Sequence, residues 1–160
     1  MEEISIPLDL DEKRMQHAPT RLDSMVRKLR DLGFRITPQR LAILKFLAES
    51  KGHPGAEEIY AAVGDSFPTT TIATVYKTLA VLKSIGEVLE LEFSGDYNRY
   101  DGKKPYSHPH LICIKCNKIV DPELASLADM TEKLALESGY ELITHRLDFY
   151  GICPQCRKKE

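Results

Sequence analysis

The sequence predicts an α+β fold in two parts, helical first and mixed second. Three observations carry this. Apolar residues recur at helical spacing through consecutive segments between residues 21 and 86. An alternating stretch follows, with Leu89, Leu91 and Phe93 interleaved with Glu90 and Glu92. The second half then breaks into short strand-like pieces around two Cys-x-x-Cys pairs.

Residues 1–20 hold Pro7 and Pro19 with little periodicity and read as a loose arm. From Arg21, the residues Leu22, Met25, Val26, Leu29 and Leu32 form one helical stripe, and Gly33 closes the helix as a left-handed cap. Thr37 and Pro38 open the second helix as N-cap and first helical residue. Its expected inner face is Leu41, Leu44, Leu47 and Ala48. His53-Pro54-Gly55 breaks the chain, and a short third helix from Ala56 to Val63 turns Ile59, Tyr60 and Val63 inward.

Phe67-Pro68 breaks it again. Thr69 or Thr70 is expected to cap a fourth helix with Ile72, Val75, Leu79 and Leu82 inside and Gly86 at its end. Ser94-Gly95-Asp96 is turn chemistry between the alternating strand and a return strand, Tyr97 to Tyr100. Helices followed by a β-hairpin give the order of a winged helix-turn-helix, in which the helix before the wing enters the DNA major groove. This domain is expected over 21–101, with a hinge at 102–106.

Residues 107–160 form a smaller α/β unit. Strands are expected at His110–Ile114 and Lys118–Asp121, a helix from Pro122 to Ser138 with Leu124, Leu127 and Leu134, a stop at Gly139, and strand formers from Tyr140 to Tyr150. So short a segment has little core, which calls for a metal staple or a partner subunit.

The 160 residues carry a net charge of −2, with 42% hydrophobic and 29% charged residues. Those values exclude whole-chain disorder and fibrous classes. The charge is uneven: residues 21–86 hold ten basic and six acidic groups, a candidate nucleic-acid footprint or an ordinary solvated helix surface. No stretch approaches the ~18 apolar residues of a spanning helix. The acidic start lacks signal-peptide character, so the expected location is cytoplasmic.

All four cysteines fall in two pairs, Cys113-x-x-Cys116 and Cys153-x-x-Cys156, separated by 36 residues. Two such bites make the tetrahedral four-thiolate site that suits structural Zn²⁺. Its expected role is to hold the last strand against the first. Just upstream, His108-Pro109-His110 places two imidazoles on one side of an extended segment. With His53, Asp101 and Asp121 they compose a mixed nitrogen and oxygen set suited to Fe²⁺, Mn²⁺ or Zn²⁺. Blander readings coexist: Asp121-Pro122 as a helix cap, and His53 as a turn residue.

At this point the chain resembles the ferric uptake regulator family of bacterial metal-dependent repressors. The resemblance rests on Arg35-Ile36-Thr37-Pro38-Gln39-Arg40, His53-Pro54, Ala73-Thr74-Val75-Tyr76-Lys77-Thr78-Leu79, Arg99-Tyr100-Asp101, His108-x-His110-x-x-Cys113-x-x-Cys116 and Tyr150-Gly151-x-Cys153-x-x-Cys156. It implies a homodimer with an N-terminal winged-helix DNA-binding domain and a C-terminal dimerisation domain. It also implies structural zinc on Cys113, Cys116, Cys153 and Cys156. A regulatory Fe²⁺ or Mn²⁺ would sit on His53, Asp101, His108, His110 and Asp121. The partner would be double-stranded DNA carrying an A/T-rich inverted repeat, met by Arg35, Thr71, Thr74, Tyr76 and Lys77.

Within the family, Asp121 resembles the peroxide-sensing branch, where iron-sensing members usually carry Glu. That branch implies iron-dependent oxidation of a histidine, with His53 and His108 as candidates. A homeostasis repressor for iron, zinc or manganese is the alternative. His145 is expected to pack or hydrogen-bond in a strand, and His17 is a weak ligand candidate. An enzyme is not expected. A metallohydrolase would need an open metal position and a general base, and a dithiol oxidoreductase would need free thiols.

Overall fold

The computed structural model describes residues 18–93, 97–124 and 126–159. Most of the expected arm, His17, and the expected turn at Ser94-Gly95-Asp96 lie outside the described residues.

The first helix, α1 (Arg21–Asp31), starts on a capping box: Thr20 Oγ1 accepts from the Asp23 amide, and Asp23 accepts from the Thr20 amide. It ends on Gly33 at φ +79°, where the Phe34 amide donates to the Leu29 carbonyl and the Gly33 amide to that of Arg30. Helix α2 (Pro38–Glu49) has Thr37 as N-cap and Pro38 in the first turn. Its buried face is Ile43, Leu44 and Leu47, whereas Leu41 is 41% exposed, because 43, 44 and 47 share the helix face toward α1 and α3. Helix α3 (Ala56–Gly64) buries Ala56, Ile59 and Val63 and leaves the expected inward residue Tyr60 exposed.

Helix α4 (Ile72–Ser84) is capped by Thr71, not by Thr69 or Thr70, since the Thr71 hydroxyl accepts from the Thr74 amide. It closes on Gly86 at φ +70°, which sends the Glu87 amide back to the Leu82 carbonyl. The wing is a two-stranded antiparallel pair, β1 (Leu89–Leu91) with β2 (Arg99–Asp101), registered with Leu89 opposite Asp101. Among the described residues, the main hydrophobic cluster lies in this part, running from Met25 and Leu29 through Ile43, Leu47, Ile59, Val75 and Leu82 to Val88 and Tyr100, while Ile112 and Cys113 are buried in the second.

The second part is a three-stranded sheet of β3 (Pro109–Cys113), β4 (Ile119–Val120) and β5 (Leu147–Gly151), in the order β4-β3-β5. Strand β3 runs antiparallel to β4 and parallel to β5. Helix α5 (Leu127–Ser138) supplies the crossover that a parallel pair requires and stops at Gly139, φ +70°. It starts five residues after Pro122, so Asp121 is not its N-cap. Of the strand-forming stretch 140–150, only Leu147–Tyr150 pairs, within β5. His145 is exposed and precedes β5, contrary to its expected place in a strand. A single turn, α6 (Pro154–Arg157), follows.

Candidate metal centres

His53 follows α2 and enters a segment gripped by the wing. The Tyr100 amide donates to the Pro54 carbonyl at 3.0 Å, and Gly55 bridges to Arg99. Glu58 reinforces this by accepting from the Gly55 amide at 2.9 Å and pairing with Arg99 at 3.1 Å. Asp101 ends β2. Its Oδ1 accepts from the amides of Lys103 and Lys104, each at 2.8 Å, which leaves Oδ2 to face His53 and His108. The next residue is held from α1: the Arg21 Nε donates to the Gly102 carbonyl at 2.7 Å, and the same guanidinium pairs with Glu87 at 2.5 Å.

His108 and His110 flank Pro109 and point to the same side. His108 Nδ1 lies 2.7 Å from the Tyr106 carbonyl, so it donates there and exposes Nε2 to the site. His110 Nδ1 lies 3.3 Å from Asp148 Oδ1. Asp121 follows β4 and completes the set, with Lys104 Nζ at 3.6 Å.

The five groups each turn one ligand atom toward the others, all within 4.8 Å. His53 Nε2 is 3.3 Å from Asp101 Oδ2 and 3.1 Å from Asp121 Oδ1; His108 Nε2 is 3.3 Å from Asp101 Oδ2. These approaches lack hydrogen-bond geometry. The Nε2 atoms of His53, His108 and His110 and the Oδ1 of Asp121 are buried without a hydrogen-bond partner. Buried polar atoms are normally paired. Four orphans converging on one point fit a cation that accepts them all, and three imidazoles with two carboxylates suit a first-row divalent ion.

The electrostatics agree. Burial pushes His110 below the ordinary imidazole range, helped by His108 and His53, so it stays neutral and able to ligate. Burial works against the Asp101 carboxylate, but His53 and the Lys104 and Lys103 amides outweigh it and hold the pKa below its usual value.

The second cluster holds all four sulfurs. Cys113 ends β3, Cys116 lies in the turn to β4, and Cys153 and Cys156 flank the start of α6. Asn117 in that turn takes φ +56°, and its amide donates to the Cys113 carbonyl. One ligand atom from each cysteine lies within 4.8 Å of the others. The Cys153 amide donates to Cys113 Sγ at 3.3 Å and, with further amides, lowers that thiol to about 6. Cys156 hydrogen-bonds to Cys153 and Cys116, which pushes its thiol up to about 12. The Cys156 amide lowers Cys153 as well, and a divalent cation would let the four sulfurs sit together as thiolates.

Of the expected DNA-facing residues, Arg35, Thr71, Tyr76 and Lys77 are exposed and Thr74 is half-buried. Two carry structural duties that the sequence reading missed: Thr71 caps α4, and the Tyr76 hydroxyl donates to Glu57 at 3.0 Å. Also missed were Asp148, Arg21 and Glu87 behind the His/Asp cluster. Their contacts depend on a parallel strand register and a long-range contact that no local pattern reports.

A winged helix joined to a mixed sheet, with a cation-ready His/Asp cluster between them and four thiols at the sheet's end, is the build of a metal-responsive transcriptional regulator. The profile of the ferric uptake regulator family matches residues 31–150, and the chain belongs to that family. It is 39% identical over 138 residues to the peroxide-responsive repressor PerR of Staphylococcus aureus strain Mu50, covering 86% of this chain and 93% of that one. The fold is similar to the ferric uptake regulator Fur of Helicobacter pylori, whose structure has three functional metal-binding sites. That match has a TM-score of 0.74 and 25% identity, over 85% of this chain and 93% of the other. PerR of Streptococcus pyogenes, described in peroxide sensing and gene regulation, matches at TM-score 0.51 and 34% identity, over 89% and 97% of the two chains. Members of this family are regulators, which sets aside the metallohydrolase and dithiol oxidoreductase readings. Among the described residues, no helix is long and apolar enough to cross a membrane.

Proposed function

We propose that this chain is a metal-dependent repressor that binds an A/T-rich inverted repeat as a cytoplasmic homodimer and releases it on exposure to hydrogen peroxide. The observation that carries the reading is the convergence of orphaned His53, His108, His110 and Asp121 atoms with Asp101. Zn²⁺ belongs on Cys113, Cys116, Cys153 and Cys156. Fe²⁺ or Mn²⁺ belongs on His53, Asp101, His108, His110 and Asp121.

The mechanism follows from where those ligands originate. His53 and Asp101 belong to the winged-helix domain, 21–101, while His108, His110 and Asp121 follow the hinge at 102–106. Filling the cluster ties the two parts together and fixes the angle between them. In a dimer that angle sets the distance between the two α4 helices, which must match successive major grooves. The metal thus selects a DNA-competent state from a broader population. Leu111, Met130, Leu134, Leu136, Ile143 and Phe149 are exposed, and α5 buries no residue; this supports completion of the C-terminal core by a second copy.

Thr74, Tyr76 and Lys77 lie on the first turns of α4 and face bases or phosphates, with Thr71 at its cap and Arg35 beside the minor groove. The peroxide reading is supported by the similarity to PerR and by Asp121 at the second carboxylate position. Bound iron supplies peroxide activation. His53 or His108 would be the residue oxidised, its ring gaining one peroxide oxygen and giving up two electrons while the other oxygen would leave as water.

The test is peptide mass spectrometry after anaerobic Fe²⁺ loading and a brief low dose of hydrogen peroxide, beside a Mn²⁺-loaded control. One added oxygen on the His53 or His108 peptide, only with iron and together with lost operator binding, is the expected result. An iron-loaded, DNA-bound protein without histidine oxidation makes the chain a metal-homeostasis repressor instead.

A further inference from the structure

We propose that Asp148 and Arg146 are positioning residues that couple His110 to the wing; the inference rests on the His/Asp cluster holding a cation. The parallel register places Asp148 of β5 directly beside His110 of β3. Asp148 Oδ1 lies 3.3 Å from His110 Nδ1, and its Oδ2 accepts from Arg146 Nε at 2.5 Å. The other arm of the same guanidinium, Nη2, donates to the Glu92 carbonyl at 2.9 Å, just past β1. An unbroken polar path therefore runs from an orphaned, buried Nε2 to the backbone of the wing.

Each link has a physical reason. A carboxylate on the far nitrogen of a ligating imidazole fixes the ring's tautomer and aim. The Asp148 side chain is 10% exposed and needs a partner for its second oxygen, which Arg146 supplies. Arg146 is planar and forked, so one donor can hold the carboxylate while another holds a carbonyl. A cation held by His110 would draw electron density from the ring, strengthen the Nδ1–H donor and tighten the whole path. Glu92 lies fifty-four residues earlier in the chain, so this path also crosses between the two parts of the molecule, outside the cluster itself.

The experiment uses the full-length zinc-containing protein and Mn²⁺ as probe, comparing wild type with Asp148→Asn, Arg146→Gln and His110→Ala. Mn²⁺ affinity is read by electron paramagnetic resonance of the free ion. Amide hydrogen exchange of residues 89–93 is read with and without Mn²⁺. Asp148→Asn should weaken Mn²⁺ binding about 10- to 100-fold, the usual cost of losing a group that aims a ligand. Arg146→Gln should bind Mn²⁺ better than Asp148→Asn does, yet lose the Mn²⁺-induced protection of the wing. A purely structural role would instead change exchange in the metal-free protein and leave the Mn²⁺-induced difference intact. Asp148→Asn binding Mn²⁺ as wild type does, or Arg146→Gln keeping the induced protection, overturns the coupling. His110→Ala separates the two failures: if it too binds Mn²⁺ like wild type, the metal assignment has failed, and the coupling with it.

Discussion

Gly102 lies so close to Leu47 that a methyl group on its α-carbon would stand 2.7 Å from the Leu47 Cβ and 3.1 Å from the Leu47 carbonyl oxygen. Neither neighbour is the free end of a flexible chain, so backbone must move to make room. Gly102→Ala should destabilise the protein by about 1–3 kcal/mol, as overpacking does, and should weaken Mn²⁺ binding by displacing Asp101. Urea unfolding and Mn²⁺ titration check both; a stable variant with unchanged affinity removes the hinge contact from the mechanism.

His108→Ala should abolish metal-dependent operator binding while the zinc stays in place. The loss in Mn²⁺ affinity should exceed the about 100-fold that a group behind a ligand can cost. Fluorescence anisotropy on operator DNA, with zinc quantified in the same sample, decides it. Metal-responsive binding by this variant would contradict the ligand assignment.

Lys77→Ala should weaken DNA binding by a similar factor across sequences and lower the salt dependence by about one counterion. Tyr76→Phe should behave differently, since the ring stays and only the bond to Glu57 is lost. Affinities measured over a salt series test the first claim, and an unchanged slope would place Lys77 away from phosphate.

The metal-free protein should gain stability as pH rises toward 6.5. His110 has its pKa below that value when folded, so between the folded value and 6.5 the unfolded chain binds more protons. Its share is complete above 6.5 and is lost as pH falls through the folded value. The Asp101 share, depressed below 3.8, is lost only in stronger acid. Denaturant midpoints from pH 3 to 8 report both, and His110→Asn should flatten the upper limb.

Zinc loading near neutral pH should release fewer than four protons, because Cys113, at about 6, has already ionised. Calorimetry in buffers of different ionisation enthalpy counts them. A count of four would mean that the amide bond to its sulfur is absent in the metal-free state.

The helical half was legible because its signals are local. Thr37-Pro38, Gly33 and Gly86 mark helix ends by chemistry that needs no tertiary partner. The five cluster residues were legible as residue types, and the structure brings all of them together. Inner faces were harder: Leu41 and Tyr60 sit at helical spacing yet face out, since which stripe is buried depends on the neighbouring helix. The start of α5 was misplaced because Asp121-Pro122 has cap chemistry while Asp121 faces His53 instead. Asp148 was invisible because a parallel register between residues thirty-eight apart leaves no trace in sequence spacing.

Strand β3 carries His110 near one end and Cys113 at the other, three residues away, or about 10 Å of extended chain. Metals held at the two clusters would therefore share one short rail. Pulling the sulfur end out of register moves the imidazole end by the same step. In logical terms the strand is a conjunction: the output is on only while both inputs are held. Under the proposed function, damage to a thiol would report as failure of the metal input at the imidazole end, and a cell would read oxidation at either end as one message.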